Sequence, residues 1–283
     1  DWTGSRREIG SDNRVNIYSA KIDYQTLVAK MFMLEAGLKW ALSSTDNTTT
    51  RIETGLPDRN TEFNYREHIG AAYISASAQL GPKWSLKAGL RGEYTNSFGD
   101  WISASDQTRR SYFDLFPTVF AGFTPKAGLN FALSYSRRIQ RPSYYALNPA
   151  ENYIDAHSYT VGDPALKPSY IDEVSLSAGM GQHFALSAGY SHTGDMFSQM
   201  PYLKANGDQM LAWANFGRQD MAILTAALSE LPITRWFIWT VNANALYMDA
   251  STAGMAENRT LSAALYTCLT FNLPSDWKIQ LDG

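Results

Sequence analysis

Hydrophobic and polar residues alternate at period two along most of the chain. From Leu129 to Tyr135 every second residue is large and apolar, with Asn130, Ala132 and Ser134 between them. One apolar and one polar face at that period predict a β-strand. The pattern is cleanest at Trp84, Leu86, Ala88, Leu90, Gly92 and Tyr94, set against Ser85, Lys87, Gly89, Arg91, Glu93 and Thr95. It recurs at Leu34 to Leu42, Val174 to Met180, Phe184 to Tyr190 and Phe237 to Tyr247. Weaker alternation near 14–24, 68–80, 112–123 and 259–272 brings the expectation to about twelve strands. The last residues, Trp277 to Gly283, begin another alternating run.

The connections alternate as regularly as the strands. Short turns fall near 25–31, 81–83, 124–127, 181–182, 230–235 and 273–276. Long polar stretches fall near 44–62, 96–111, 140–169, 194–209 and 249–258. In an up-and-down antiparallel sheet this order puts every short turn at one end and every long loop at the other. Outer-membrane barrels show that asymmetry. A soluble sandwich has no physical reason to sort its loops. Asn206-Gly207, between extended segments 196–203 and 209–217, predicts a raised β-ribbon closed by a two-residue turn.

Strand length agrees. Trp84 and Tyr94 bracket one apolar face, as do Phe237 and Tyr247. Ten residues make about 33 Å of strand, and a tilt of about 40° projects this to roughly 25 Å, the height of a barrel's apolar band. Trp84, Phe237 and Trp277 are then expected in the turn-side aromatic girdle, and Trp40, Tyr94, Tyr135, Tyr190 and Tyr247 in the loop-side one. Glu35, Lys39, Lys87, Arg91, Glu93, Asn242 and Asn244 occupy the opposite faces, as a hydrated or plugged lumen requires. The expected class is an all-β, antiparallel up-and-down transmembrane barrel, with lipid of the outer membrane as its surroundings.

Composition narrows the function classes. The chain has 283 residues, is 45% hydrophobic and 18% charged, and contains 16 Tyr and 8 Trp. Its mean hydropathy is −0.28, too apolar for a disordered chain. No segment approaches the roughly 18 apolar residues of a membrane helix, which does not bear on strands that alternate. The net charge of −3 points to no nucleic acid. A lone cysteine, Cys268, precludes a disulfide framework and a cysteine-rich metal site. The four histidines, His68, His157, His183 and His192, show no ligand spacing, so no metal or cofactor is expected.

Between two of the strands lies an ordered series of short motifs: Tyr135-Ser136-Arg137-Arg138, Arg141-Pro142-Ser143-Tyr144, Leu147-Asn148-Pro149 and Gly162-Asp163-Pro164-Ala165-Leu166-Lys167-Pro168. With Ala88 to Tyr94 and Tyr112 to Pro117, the series resembles the outer-membrane β-barrel family of Bacteroidetes that belongs to TonB-dependent receptors. The resemblance covers most of residues 14–283. Asp163 and Ser169 stand where that family more often has Asn and Glu. The resemblance implies a barrel of about 22 strands filled by a plug. The plug would couple to a periplasmic energy-transducing protein. Residues 1–283 are then expected to be a piece of the barrel domain, without the plug and without the last strands.

Arg137, Arg138 and Arg141 cluster where a strand meets the long loop. They suit an anionic ligand or lipid phosphates, or else pairing with carboxylates such as Glu173 and Glu93. Tyr144, Tyr145, Tyr153 and Tyr159 suit a ligand platform or the loop's own packing, and the loop prolines suit stiffening. Ser191, His192 and Asp195 are the nearest approach to a hydrolytic set. Adjacent strand residues face opposite ways, so no catalysis is expected. The expected function is an outer-membrane receptor for TonB-dependent uptake of a small-molecule nutrient: a metal chelate, glycan or peptide. The alternative is an adhesin or scaffold barrel without active transport.

Overall fold

The computed structural model describes residues 7–29, 31–54, 57–155, 157–252 and 258–283. Six strands open the chain: β1 (Arg7–Val28), β2 (Phe32–Glu53), β3 (Arg59–Leu80), β4 (Trp84–Trp101), β5 (Asp106–Lys126) and β6 (Leu129–Gln140). An excursion over residues 141–168 follows, with a one-turn helix α1 (Tyr144–Leu147) and two short strands, β7 (Asn152–Tyr153) and β8 (Ser158–Val161). The sheet resumes with β9 (Ser169–Met180), β10 (Phe184–Leu203) and β11 (Gln209–Pro232). It continues through β12 (Phe237–Thr252), β13 (Asn258–Asn272) and β14 (Lys278–Asp282). Each strand of the sheet pairs with the next, and β6 pairs with β9 across the excursion. The described residues thus form an antiparallel meander of twelve strands, as the alternation predicts.

Register fixes the two faces. Leu133, Leu176, Ala188, Leu224, Ala245 and Ala263 stand in one row across six strands. Leu133, Leu176 and Leu224 are each about half exposed (49%, 53% and 49%), with no second protein layer over them. A row of Lys21, Lys39, Ala71, Glu93 and Asp114 lies on the other face. Leucines on a convex outer wall and ions on the inner one suit acyl chains outside and water inside. The girdle residues form register rows as well. Tyr135, Val174, Tyr190, Ala222 and Tyr247 make one, and Trp40, Gly70, Tyr94 and Phe113 another. At the turn end Trp84 stacks on Phe123 at 4.3 Å, and Phe237 on Phe271 at 5.1 Å.

The loop sorting is as expected, but the long polar stretches are mostly strand. β2 runs on to Glu53 and β3 starts at Arg59, so most of 44–62 is a paired ribbon. Likewise β4 and β5 continue to Trp101 and from Asp106. Above the bilayer both faces of a ribbon are wet, so alternation vanishes while backbone pairing persists. The ribbon at 196–217 is present, yet its turn is longer than two residues. The Lys204 amide donates to Asp208 (2.9 Å) and the Gly207 amide to Lys204 (3.0 Å), with φ of +89° at Gly207 alone. This is a three-residue loop with a glycine bulge.

Candidate functional site

The buried hydrophobic cluster lies where the excursion meets the wall. Phe63 of β3 packs with Ala146, Leu147 and Leu166, and Tyr65, Trp101, Tyr144, Phe197 and Trp213 border them. Phe63 shares its face with Ala71 and Tyr73, the inner face, so residues 141–168 fold into the mouth of the lumen. Pro142 and Ser143 start this return. The Ser143 hydroxyl accepts from the Ala146 amide (3.3 Å) and caps α1. Gly162 then lies flat against the helix end, its amide donating to Asn148 (2.9 Å) while the Asp163 amide donates to Ala146 (2.8 Å). A Cβ on Gly162 would run into the Asn148 and Ala146 backbone. The Asp163 carboxylate accepts from the Ala165 amide (2.7 Å), turning the chain so that Leu166 drops into the cluster.

Polar contacts fasten the excursion on several sides. Arg141 Nη2 donates to Glu93 Oε2 (2.7 Å) and Thr95 (3.0 Å), and Arg91 also donates to Glu93. Asn148 donates to Asn47 (3.1 Å), and Arg51 to Glu151 (2.9 Å) and to the Tyr153 hydroxyl (2.8 Å). Arg110 donates to the carbonyls of Leu166 and Pro164, and Asn215 bonds Lys167 on both sides of its amide. β8 pairs in parallel with β11, joining the excursion to the raised ribbon. Alternation offers no signal for a four-residue strand of this kind.

The expected contact residues separate. Arg141 pairs with Glu93, and Arg138 with Glu173. Arg137 stands opposite Asp172 on the outer face, where Asp172 also accepts from the Tyr135 hydroxyl (2.7 Å). Tyr144 stacks on Phe63 at 5.8 Å, and burial raises its phenol well above the usual range. Tyr145 bonds Thr160 (2.5 Å), and its ring remains half exposed. Tyr153 packs on Tyr159 at 5.1 Å, beside a cavity of about 140 Å³ bordered by Arg51, Arg59, Trp101, Glu151, Tyr159 and Lys204. Tyr159 is buried and its hydroxyl makes no hydrogen bond among the described residues. The Lys204 ammonium lies over the Tyr159 ring, 4.9 Å from its centroid. Arg51, Arg59, Glu151 and Lys204 are the site members that sequence reasoning missed. Only contacts between distant residues bring them together.

Residues 3–283 match the family model described as the outer membrane protein beta-barrel family. The chain belongs to this family. Its place is therefore the outer membrane. The sequence matches no curated protein. Among solved structures it is similar to the ferric yersiniabactin uptake receptor FyuA from Yersinia pestis, at 15% identity and a TM-score of 0.59 over 98% of this chain and 43% of that one. The copper transporter OprC aligns at 11% identity and a TM-score of 0.69, over 96% of this chain and 43% of that one. The ferric citrate transporter FecA aligns at 11% identity and 0.62, over 98% and 42%. The chain thus spans less than half the length of these receptors. Such likeness establishes a shared barrel fold.

Within this family barrel, the hydrolytic trio does not assemble. His192 Nδ1 lies 2.8 Å from Asp220, which also accepts from Tyr190 (2.6 Å). Asp195 sits in a bulge with φ of +50°, its carbonyl accepting from Ser169 and Asn215. Among the described residues no group of three or more His, Cys, Asp or Glu could hold a metal ion.

Proposed function

We propose that this chain is part of the barrel wall of a TonB-dependent receptor that imports a small-molecule nutrient, with a plug and a periplasmic energy-transducing partner as its coupling parts. The observation that supports the reading most is the excursion folded into the lumen mouth, where its aromatic and charged side chains narrow the entrance to a polar interior. A scaffold needs no such constriction.

Within this reading the seven expected contact residues divide. Arg141 and Tyr144 hold the excursion in place, with Tyr159 between them and the ribbon. Tyr145, Tyr153 and Arg138 present surface to an incoming ligand, and Arg137 faces lipid phosphates. FyuA is a ferric yersiniabactin uptake receptor, FecA a ferric citrate transporter and OprC a copper transporter, which makes a metal-bearing nutrient the first class to try.

The test uses the full-length protein in its own outer membrane. The small molecule that co-purifies in detergent is identified, and its accumulation is followed with and without the proton-motive force. Accumulation that stops on deleting the gene, and on collapsing the gradient, supports energised uptake. Retention of a ligand without gradient-dependent accumulation favours the adhesin or scaffold reading.

A further inference from the structure

The outer face of the sheet carries a second feature, independent of what passes through the lumen. A concavity of about 790 Å³ lies over β1 to β5. Its floor is made by Gly70, Ala72 and Gly92, and its rim by Trp40, Tyr94 and Phe113. Gly70 stands in one row between Trp40 and Tyr94, so two aromatic walls flank a position with no side chain. Two strand steps separate those walls, about 9.6 Å, wide enough for a hydrocarbon chain. A Cβ placed on Gly70 meets nothing within 4 Å.

Cations stand above this groove. Four residues further along each strand from Gly70, Tyr94 and Phe113, the row reads Arg66, Phe98 and Arg109. That is about 13 Å along the strand and roughly 10 Å along the membrane normal, the step from acyl chains to headgroups. Both arginines are exposed, and Arg109 lies over the Phe98 ring at 4.8 Å. Neither pairs with a carboxylate among the described residues. The nearest outward acids, Asp46 and Asp100, occupy the row above, and Asp100 accepts from Gln107 (3.2 Å). The arginines are therefore the charged level adjoining the groove.

We propose that this face binds a phosphate-bearing, multi-acyl lipid of the outer leaflet, one chain lying over Gly70 and a phosphate meeting Arg66 and Arg109. Fluid hydrocarbon fills any apolar groove in a bilayer, so the arginines select the lipid. Two cations at the headgroup level favour the phosphorylated form by about tenfold or more.

The test reconstitutes the full-length protein in phosphatidylcholine nanodiscs doped with diphosphoryl lipid A or its dephosphorylated form. Native mass spectrometry counts the lipid retained. The wild-type protein is expected to keep the diphosphoryl form about tenfold better. The Arg66→Gln/Arg109→Gln double variant is expected to lose that preference, and Gly70→Leu, whose Cβ would meet nothing within 4 Å, to retain less of both forms. Heat-modifiable migration on a gel confirms that each variant is folded. Equal retention of the two lipids by the wild type overturns the proposal, as does a preference that survives the double substitution. Undiminished retention by Gly70→Leu overturns the groove.

Discussion

Arg141 Nη2 stands 2.7 Å from Glu93 Oε2, and this ion pair ties the first residue of the excursion to the inner wall. The Glu93 side chain is only 9% exposed and the Arg141 side chain 20%, so water screens the pair poorly. Arg138 and Glu173, by contrast, are 58% and 41% exposed.

Removing the buried partner therefore has consequences that removing the exposed one lacks. Arg141→Ala leaves the Glu93 carboxylate with Arg91 alone and is expected to loosen the excursion by about 2 kcal/mol. Amide exchange over residues 144–168 should quicken about 30-fold, while β4 and β5 keep their protection. Arg138→Ala should change exchange within measurement error, because exposed pairs contribute about 0–1 kcal/mol.

Gly162 gives a steric test of the same docking. A Cβ there would lie 2.7 Å from the Asn148 nitrogen and 2.8 Å from the Ala146 oxygen, both backbone atoms that cannot rotate away. Gly162→Ala is expected to cost about 1–3 kcal/mol. Limited proteolysis should cleave within 150–168 in the variant, and the barrel itself should remain resistant.

Asp155 supplies a pH dependence with a definite sign. Its carboxylate accepts from the Ser158 hydroxyl (2.6 Å) and the His157 amide (2.7 Å), and these bonds hold its pKa below the usual carboxylate value. A depressed folded-state pKa means that the contribution is complete above the unfolded value, about 3.9, and is lost as pH falls through the folded one. Exchange protection of β8 should stay flat from neutrality down to about pH 5 and fall only below about pH 4. In Asp155→Asn that acid-dependent loss should disappear.

Charge placed on the two faces of β9 should have unequal costs. Leu176 is on the outer row and Ser177 on the inner face. Leu176→Arg is expected to destabilise the folded barrel in vesicles by about 2–4 kcal/mol, and Ser177→Arg by much less. Urea titration of full-length protein in lipid vesicles measures both.

Leu133, Leu90 and Tyr94 show how much a local pattern can reveal. Their period-two spacing identified the strands and the lipid-facing side, because a bilayer against one face and water against the other leaves a strict code. The ends of β2 and β3 were illegible for the converse reason: Thr48, Asn64 and their neighbours meet water on the outer side, so pairing continues without a hydrophobic signature. The site was legible only in part. Arg141 and Glu93 could be paired from residue type, whereas Arg51 and Glu151 are a hundred residues apart and meet only because the excursion turns inward. β8 was hidden because Ser158 to Val161 is too short for alternation to register.

The central claim is that alternate residues of each strand touch hydrocarbon and lumen. It is tested most directly by single cysteines carrying a bimane label, in a Cys268→Ala background, at Leu86, Leu133 and Leu176 on one side and Lys87, Ser134 and Ser177 on the other. The full-length protein is reconstituted with brominated-chain lipids, and a water-soluble quencher is added separately. Strong quenching by brominated lipid at the three leucine positions, with little at their neighbours, is the predicted result. Equal lipid quenching on both sides, or leucine labels reached only by the aqueous quencher, would contradict the account.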